Sequence, residues 1–303
     1  MTTGTHNYSD DDRNQTVQIY VNGDIVPRAK AMVSVLDAGF ILGDGVWEGL
    51  RLNNGKLAFI DAHLERLYEG ARAIDLDIGL TPQEMKAEIL RTTAANGMTD
   101  DVHIRLMVTR GLKTTPFQDP RASASGPTIV IIAEYKTPVP GTLEQGIRLF
   151  TVHVRRGRPD VLDPQINSHS KLNCITACIQ ATKAGADEAL MLDPQGFVAT
   201  CNSTHFFIVR NGQLWTSTGD YCLHGITRDN VLQIARKNGI EVFEKNFSLT
   251  QVYSADEAFV TGTFAGVAPV CEVDGRTLGN GQRGEMTKRL QDLYLSLIGE
   301  ETA

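Results

Sequence analysis

The 303-residue chain has five cysteines and no Cys-x-x-Cys pair, no long apolar run, and no surplus of basic residues. The cysteines are Cys174, Cys178, Cys201, Cys222 and Cys271. Their odd number and spacing argue against a disulfide framework and fit free thiols in a reducing compartment. Cys174 and Cys178 lie one helical turn apart near His169, but small residues on one helix face read as packing, so no metal is expected. No stretch approaches the roughly 20 apolar residues of a membrane span, and the N-terminus lacks a basic-then-apolar signal pattern. With 29 basic against 36 acidic residues the net charge is -7. That balance excludes nucleic acid or an anionic membrane as the main partner. Small anions stay open, because a few placed arginines and helix ends suffice to hold them. The expectation is a cytoplasmic protein.

What is present is enough apolar material, 42% of residues, for one large or two ordinary cores. Residues 1–15 are polar and include Asp10, Asp11 and Asp12; they read as a flexible tail. Alternating apolar residues on both sides of Asn22-Gly23 predict a tight hairpin. Residues 61–74 predict a helix with Leu64, Leu67, Ala71 and Ile74 in one stripe. Thr81-Pro82-Gln83-Glu84 opens another, with capping residue, proline and glutamate in order. Strands at 102–109 and 128–133 complete a small α+β domain over 1–135. Pro138, Pro140 and Gly141 mark residues 136–146 as a linker. A larger domain over 147–303 carries strands at 147–154, 188–192, 197–200, 206–209 and 257–260. Its helices are expected at about 171–184, 227–238 and 283–298, the last with Met286, Leu290, Leu293 and Leu297 on one face.

Three places have chemical potential. Gly225-Ile226-Thr227-Arg228 opens an amphipathic helix whose free amides and dipole suit a phosphate, although Thr227 also reads as an ordinary N-cap. Thr261-Gly262-Thr263 sets hydroxyls and amides at a strand end. Lys171 follows the polar run Asn167-Ser168-His169-Ser170 ahead of a helix. A lysine held at a cleft can lose its proton and bond a carbonyl carbon; a lysine in water stays a solvated charge.

Phe40-Ile41-Leu42-Gly43-Asp44-Gly45-Val46-Trp47-Glu48-Gly49-Leu50-Arg51, followed by His63-Leu64-Glu65-Arg66-Leu67-Tyr68, resembles the opening signature of the class IV aminotransferases. These are fold type IV pyridoxal phosphate enzymes and include branched-chain and D-amino-acid aminotransferases and aminodeoxychorismate lyase. The resemblance continues through Ile104-Arg105, Ala186-Asp187-Glu188-Ala189-Leu190, Gly225-Ile226-Thr227-Arg228 and Thr261-Gly262-Thr263. It ends at Asp274-Gly275-Arg276 and Gly279-Asn280-Gly281, covering about residues 17 to 298. It implies an α/β (α+β) two-domain fold, with a β-barrel-like C-terminal domain, flanking helices and a bound pyridoxal 5'-phosphate. It implies that Arg66, Gly225, Ile226, Thr227 and Thr263 hold the phosphate and that Leu223 packs on the ring. Trp47, Arg51, Arg105, Phe264 and Ala265 match substrate-lining positions, where Arg51 and Arg105 suit a carboxylate; Arg51 reads equally well as an ion-pairing residue. A homodimer acting on an amino donor and a 2-oxo acid is implied, with Lys171 as base, acid and cofactor anchor.

Three departures stand beside the resemblance. Thr200 occupies the place of a glutamate that keeps the ring nitrogen protonated, which weakens the electron sink and opens elimination as an alternative to transfer. His205 replaces a usual asparagine. Lys171 lies four residues closer to Gly185 than the family lysine does. Without a gap, Asn167 takes the lysine's place and Lys171 that of a tyrosine touching the cofactor; with a gap of one turn, Lys171 takes the usual place. A cofactor bound without a covalent link, in a catalytically silent protein, is the third arrangement.

Overall fold

The computed structural model describes residues 4–139 and 141–303, so Pro140 of the expected linker and residues 1–3 of the expected tail lie outside it. Two compact units divide the chain. The N-terminal unit comprises Asp10–Thr137, Ile166–Lys171 and Glu301–Ala303. The C-terminal unit comprises Pro138–Gln165, Leu172–Glu300 and the described part of Met1–Ser9.

In the N-terminal unit, β1 (Gln18–Val21) and β2 (Asp24–Pro27) form the expected hairpin. Asn22 and Gly23 both have positive φ, 49° and 99°, which matches the right-handed twist of the paired strands. β3 (Gly45–Asn53), β4 (Lys56–Leu57), β5 (Val102–Thr109) and β6 (Thr128–Tyr135) extend an antiparallel sheet in the order β2-β1-β6-β5-β3-β4. Helices α1 (Ala38–Leu42), α2 (Ile60–Ala73) and α3 (Pro82–Ala95) complete the unit. Thr81 caps α3 in a full capping box with Glu84, as its sequence predicts. Strand alternation then decides which side is core. Val46, Leu50 and Leu52 of β3 and Ile104, Leu106 and Val108 of β5 bury against Leu64, Leu67, Met85 and Ile89. The intervening positions, Trp47, Arg51, His103, Arg105 and Met107, lie half-buried on the opposite face.

The C-terminal unit contains α4 (Thr142–Gln145), β7 (Ile147–Thr151), α5 (Pro159–Leu162), α6 (Leu172–Lys183), β8 (Glu188–Leu192), β9 (Val198–Cys201), β10 (His205–Arg210) and β11 (Gln213–Thr216). It continues with α7 (Ile226–Lys237), β12 (Val242–Glu244), α8 (Leu249–Tyr253), β13 (Glu257–Gly262), β14 (Gly266–Val273), β15 (Arg276–Thr277) and α9 (Glu285–Glu301). The strands run β12-β11-β10-β13-β14-β7-β8-β9, with β15 on β14. β9 ends that row, yet only Asn202, Ser203 and Thr204 separate it from β10. So short a link brings the row back on itself, and the sheet curls as a barrel does. Phe207 and Phe259 stack inside this unit at 4.8 Å and 9°; each ring buried this way contributes roughly 1.5–3 kcal/mol.

Three expectations are corrected here. The buried line of α9 is Thr287, Leu290, Gln291 and Tyr294, one step round from the apolar stripe. Gln291 is tolerated inside because its Nε2 donates to the carbonyls of Leu143 and Val267, at 3.0 and 2.9 Å. Gly225, not Thr227, sits at the N-cap of α7, and no side chain caps that helix. Residues from Gly4 onward, within the expected tail, have defined contacts: Thr5 is buried and bonds Glu188, and His6 stacks on Phe264.

Candidate active site

The half-buried face of the N-terminal sheet gathers cations around an aromatic ring. The Arg105 guanidinium lies 3.7 Å from the centre of the Trp47 ring, and Lys171 Nζ lies 5.4 Å from it. Arg51, on the same face, donates to the Lys136 carbonyl at 2.7 Å. Burial lowers the pKa of Lys136, and nearby Arg105 and Arg51 lower it further against an opposing pull from Glu134. Burial likewise lowers His169, which favours its neutral ring. A face so rich in donors suits a carboxylate.

Residues 166–171 reach this face by running beside the start of β3. The Trp47 N–H donates to the Asn167 carbonyl, Asn167 Nδ2 to the Trp47 carbonyl, and the Trp47 indole to the Ser168 carbonyl. The approach needs glycine at two points. Gly43 has φ +68° and a Cβ there would meet Ser170 Oγ at 2.9 Å; a Cβ on Gly45 would meet the Val108 carbonyl at 2.4 Å.

Behind the same strand, Glu48 points the other way and is fully buried. One carboxylate accepts from His63 Nδ1 at 2.7 Å and from Arg66 Nε and Nη2 at 2.8 and 2.7 Å. Burial works to raise its pKa, but Arg66 and His63 overcome that and hold it at about 2. Helical spacing alone reads Arg66 as solvated; instead this fork fixes its guanidinium from one side.

In the C-terminal unit, Leu223 and Gly225 lie against His205, while Thr227 and Gly266, which follows the turn Thr263-Phe264-Ala265, lie against Tyr294. His205 Nε2 bonds the Leu223 carbonyl at 2.6 Å, and its strand position pairs with Thr261. A Cβ on Gly225 would meet the His205 ring at 2.3 Å, so the helix start needs glycine there. Thr227 Oγ1 lies 3.3 Å from the Tyr294 hydroxyl, and that ring also borders Gly266 at the end of the turn. Thr261 Oγ1 is buried with no hydrogen-bond partner among the described residues. Thr200 is buried, and its hydroxyl donates to the Thr204 carbonyl at 2.8 Å. The Thr204 hydroxyl in turn donates to Glu188 at 2.6 Å. Burial raises the Glu188 carboxyl to about 7 despite this bond.

Sequence reasoning missed Glu48, His63, Glu188 and Tyr294 as supports. Glu48 did leave a signal: it is a charge at an inward position of an alternating strand. Cys174 accepts from Arg156 Nη1 at 3.2 Å, and among the described residues no group of three or more His, Cys, Asp or Glu could hold a metal. Nor is any helix among them long and apolar enough to cross a membrane. A cavity of about 730 Å³ beside Tyr20, Met32, Ile78 and Leu112 contains none of the candidate residues.

Residues 45–273 match the family described as amino-transferase class IV. A putative branched-chain-amino-acid aminotransferase of Methanocaldococcus jannaschii is 44% identical over 92% of this chain and 95% of its own. The branched-chain-amino-acid aminotransferase-like protein 2 of Arabidopsis thaliana is 41% identical over 94% of this chain and 51% of its own, so this chain spans about half that relative's length. The solved branched-chain amino acid aminotransferase from Thermobaculum terrenum, in its PLP-form, is similar with a TM-score of 0.84 and 26% identity. That likeness covers 95% of each chain, and it bears out the expected fold class.

Proposed function

The chain belongs to the class IV aminotransferases, and on that footing we propose that it moves an amino group between an amino acid and a 2-oxo acid, with pyridoxal 5'-phosphate as cofactor. The observation that carries the reading is the start of α7, where no side chain caps the helix and Thr227 lies against Tyr294, whose ring also borders Gly266. Uncapped amides, a helix dipole and threonine hydroxyls form the donor set that a phosphate requires. The unpartnered buried hydroxyl of Thr261 supports the same fit.

When bound, pyridoxal phosphate supplies an aldehyde that takes up the amino group and a ring that draws electrons from the substrate α-carbon. The Ile226 and Thr227 amides, Gly225 and Thr263 would hold the phosphate, and the family resemblance adds Arg66 to that role. Leu223 would pack on the ring, and Thr200 would meet its nitrogen. Lys171 would hold the cofactor through its amine and move the proton at the substrate α-carbon. Arg51 and Arg105 take the carboxylate, while Trp47, Phe264 and Ala265 exclude water. The relatives carry aminotransferase names, which favours transfer over elimination or silent binding. A second copy of the chain completes the enzyme as a homodimer, a reading supported by exposed Met32, Val35 and Phe40. Free cysteines support a cytoplasmic setting.

The test is a panel of L-amino acids, D-amino acids and amines offered with pyruvate or 2-oxoglutarate. A new amino acid paired with a new oxo acid is expected. Pyruvate and ammonia from a single donor would point to elimination instead, and no turnover with any donor would refute the reading.

Thr200 sets the expected rate. Its proton is committed to the Thr204 carbonyl, so it offers the ring nitrogen a neutral acceptor and no fixed anion. Removal of the α-proton is therefore expected to limit turnover, with a large isotope effect on an α-deuterated donor. Thr200→Glu is expected to raise kcat and shrink that isotope effect. A variant that keeps its cofactor yet turns over more slowly would show that another group protonates the ring.

A further inference from the structure

We propose that Asn167 is a further substrate-binding residue, its Oδ1 accepting a hydrogen bond from the amino group of the bound amino donor. The inference rests on reading the Trp47 face as the substrate site. Asn167 is 5% exposed. Its Nδ2 donates to the Trp47 carbonyl at 2.7 Å, and its own carbonyl accepts the Trp47 N–H at 3.0 Å. The second bond pins the Asn167 backbone and the first fixes the side-chain amide, because turning it would set its oxygen against the Trp47 carbonyl. Oδ1 is then left buried, with no partner among the described residues. A buried acceptor in that state is made for a donor that arrives with a ligand.

The surrounding chemistry says which donor. Arg51, Arg105, Lys136 and Lys171 on this side of the sheet carry N–H groups and no acceptor. The nearby carboxylates are engaged: Glu134 with Arg28 at 3.1 Å, and Asp37 with the Gly39 amide and the Thr109 hydroxyl at 2.8 and 3.0 Å. An amino acid brings one carboxylate and one amino group to such a face. The guanidinium groups suit the first. The amide oxygen beside Trp47, four residues before Lys171, suits the second and would be repelled by the first. The proton-transferring group and the acceptor that orients the reacting nitrogen thus lie on one short segment.

The test uses holoenzyme with L-leucine and D-alanine as donors and 2-oxoglutarate as acceptor. Asn167→Leu is expected to raise the donor KM at least about tenfold. The acceptor 2-oxoglutarate has no N–H to offer, and its KM is expected to move less than about threefold. Donor binding to borohydride-reduced, inactive enzyme, followed by calorimetry, is expected to weaken by the same factor as the donor KM. Asn167→Asp keeps one oxygen for the donor but sets the other against the Trp47 carbonyl, so its donor KM is expected to rise less than that of Asn167→Leu. Should the leucine variant not fold, Asn167→Ala carries the same expectation. An unchanged donor KM, equal losses for donor and acceptor, or an aspartate variant as impaired as the leucine one would overturn the assignment. If the wild-type enzyme neither forms a pyridoxyl adduct on reduction nor turns over any donor, the site reading falls and Asn167 with it; turnover with unaltered donor binding in the variant overturns the Asn167 role alone.

Discussion

Replacing Lys171 by alanine is expected to leave a folded protein whose turnover is lower by at least about a thousandfold. A positioned general acid–base group contributes roughly 10²–10⁴, and this lysine also anchors the cofactor in the proposed reaction. No other lysine lies between residues 137 and 182, so no neighbour on the segment can substitute for it. The fold has little reason to change, because Lys171 is half-buried at the end of a segment held by Asn167, Ser168 and His169. Borohydride reduction of the wild-type holoenzyme followed by peptide mass spectrometry is expected to find the pyridoxyl mark on Lys171. A mark on a different lysine would reassign the anchor. Absence of any mark on a holoenzyme that turns over would favour a cofactor bound without covalent attachment.

Loss of Glu48 is expected to be the most damaging single change to stability in the N-terminal unit. Its carboxylate accepts from both His63 Nδ1 and the Arg66 fork. Glu48→Ala takes the Glu48 carboxylate from a guanidinium with only 12% side-chain exposure, and breaking such a pair costs about 3–5 kcal/mol. Calorimetry is expected to show a fall in Tm of roughly 6–20 °C. The pH profile separates this cause from a simple cavity. Glu48 titrates at about 2 in the fold against an ordinary 4.5, so the folded state favours its charged form. The resulting stabilisation is complete above about 4.5 and disappears as pH falls through about 2. Wild type is therefore expected to lose stability across that acid window, and Glu48→Gln to lack that segment of the curve. Arg66→Ala, by contrast, acts on the ligand. A charge-assisted contact of roughly 1.5–3 kcal/mol is lost, and cofactor affinity is expected to fall at least about tenfold. Unchanged affinity in equilibrium dialysis would place the phosphate elsewhere.

Local sequence governs what depends on neighbours along the chain. Asn22-Gly23 has the residues that positive φ at both turn positions demands, and Thr81 to Glu84 carry a complete capping box, so hairpin and helix start were both legible. Residues 102–109 read as a strand, as β5 is, and the ordered motifs from Phe40 to Gly281 identified the family. Packing settles what depends on partners far apart in sequence. Arg66 looks solvated on a helical wheel and becomes fixed only because strand register sets Glu48 opposite it, 18 residues away. Gln291 lies inside because two carbonyls, 24 and 148 residues distant, meet its amide. Thr227 lost the cap position to Gly225, whose missing Cβ leaves room for the His205 ring. The sequence marks Asn167 only as one of two candidates for the family lysine's place. Pairing with Trp47, 120 residues away, buries it, fixes its amide and leaves one oxygen unmet. Periodicity and caps are properties of a few consecutive residues, whereas burial and hydrogen-bond satisfaction belong to the packed whole.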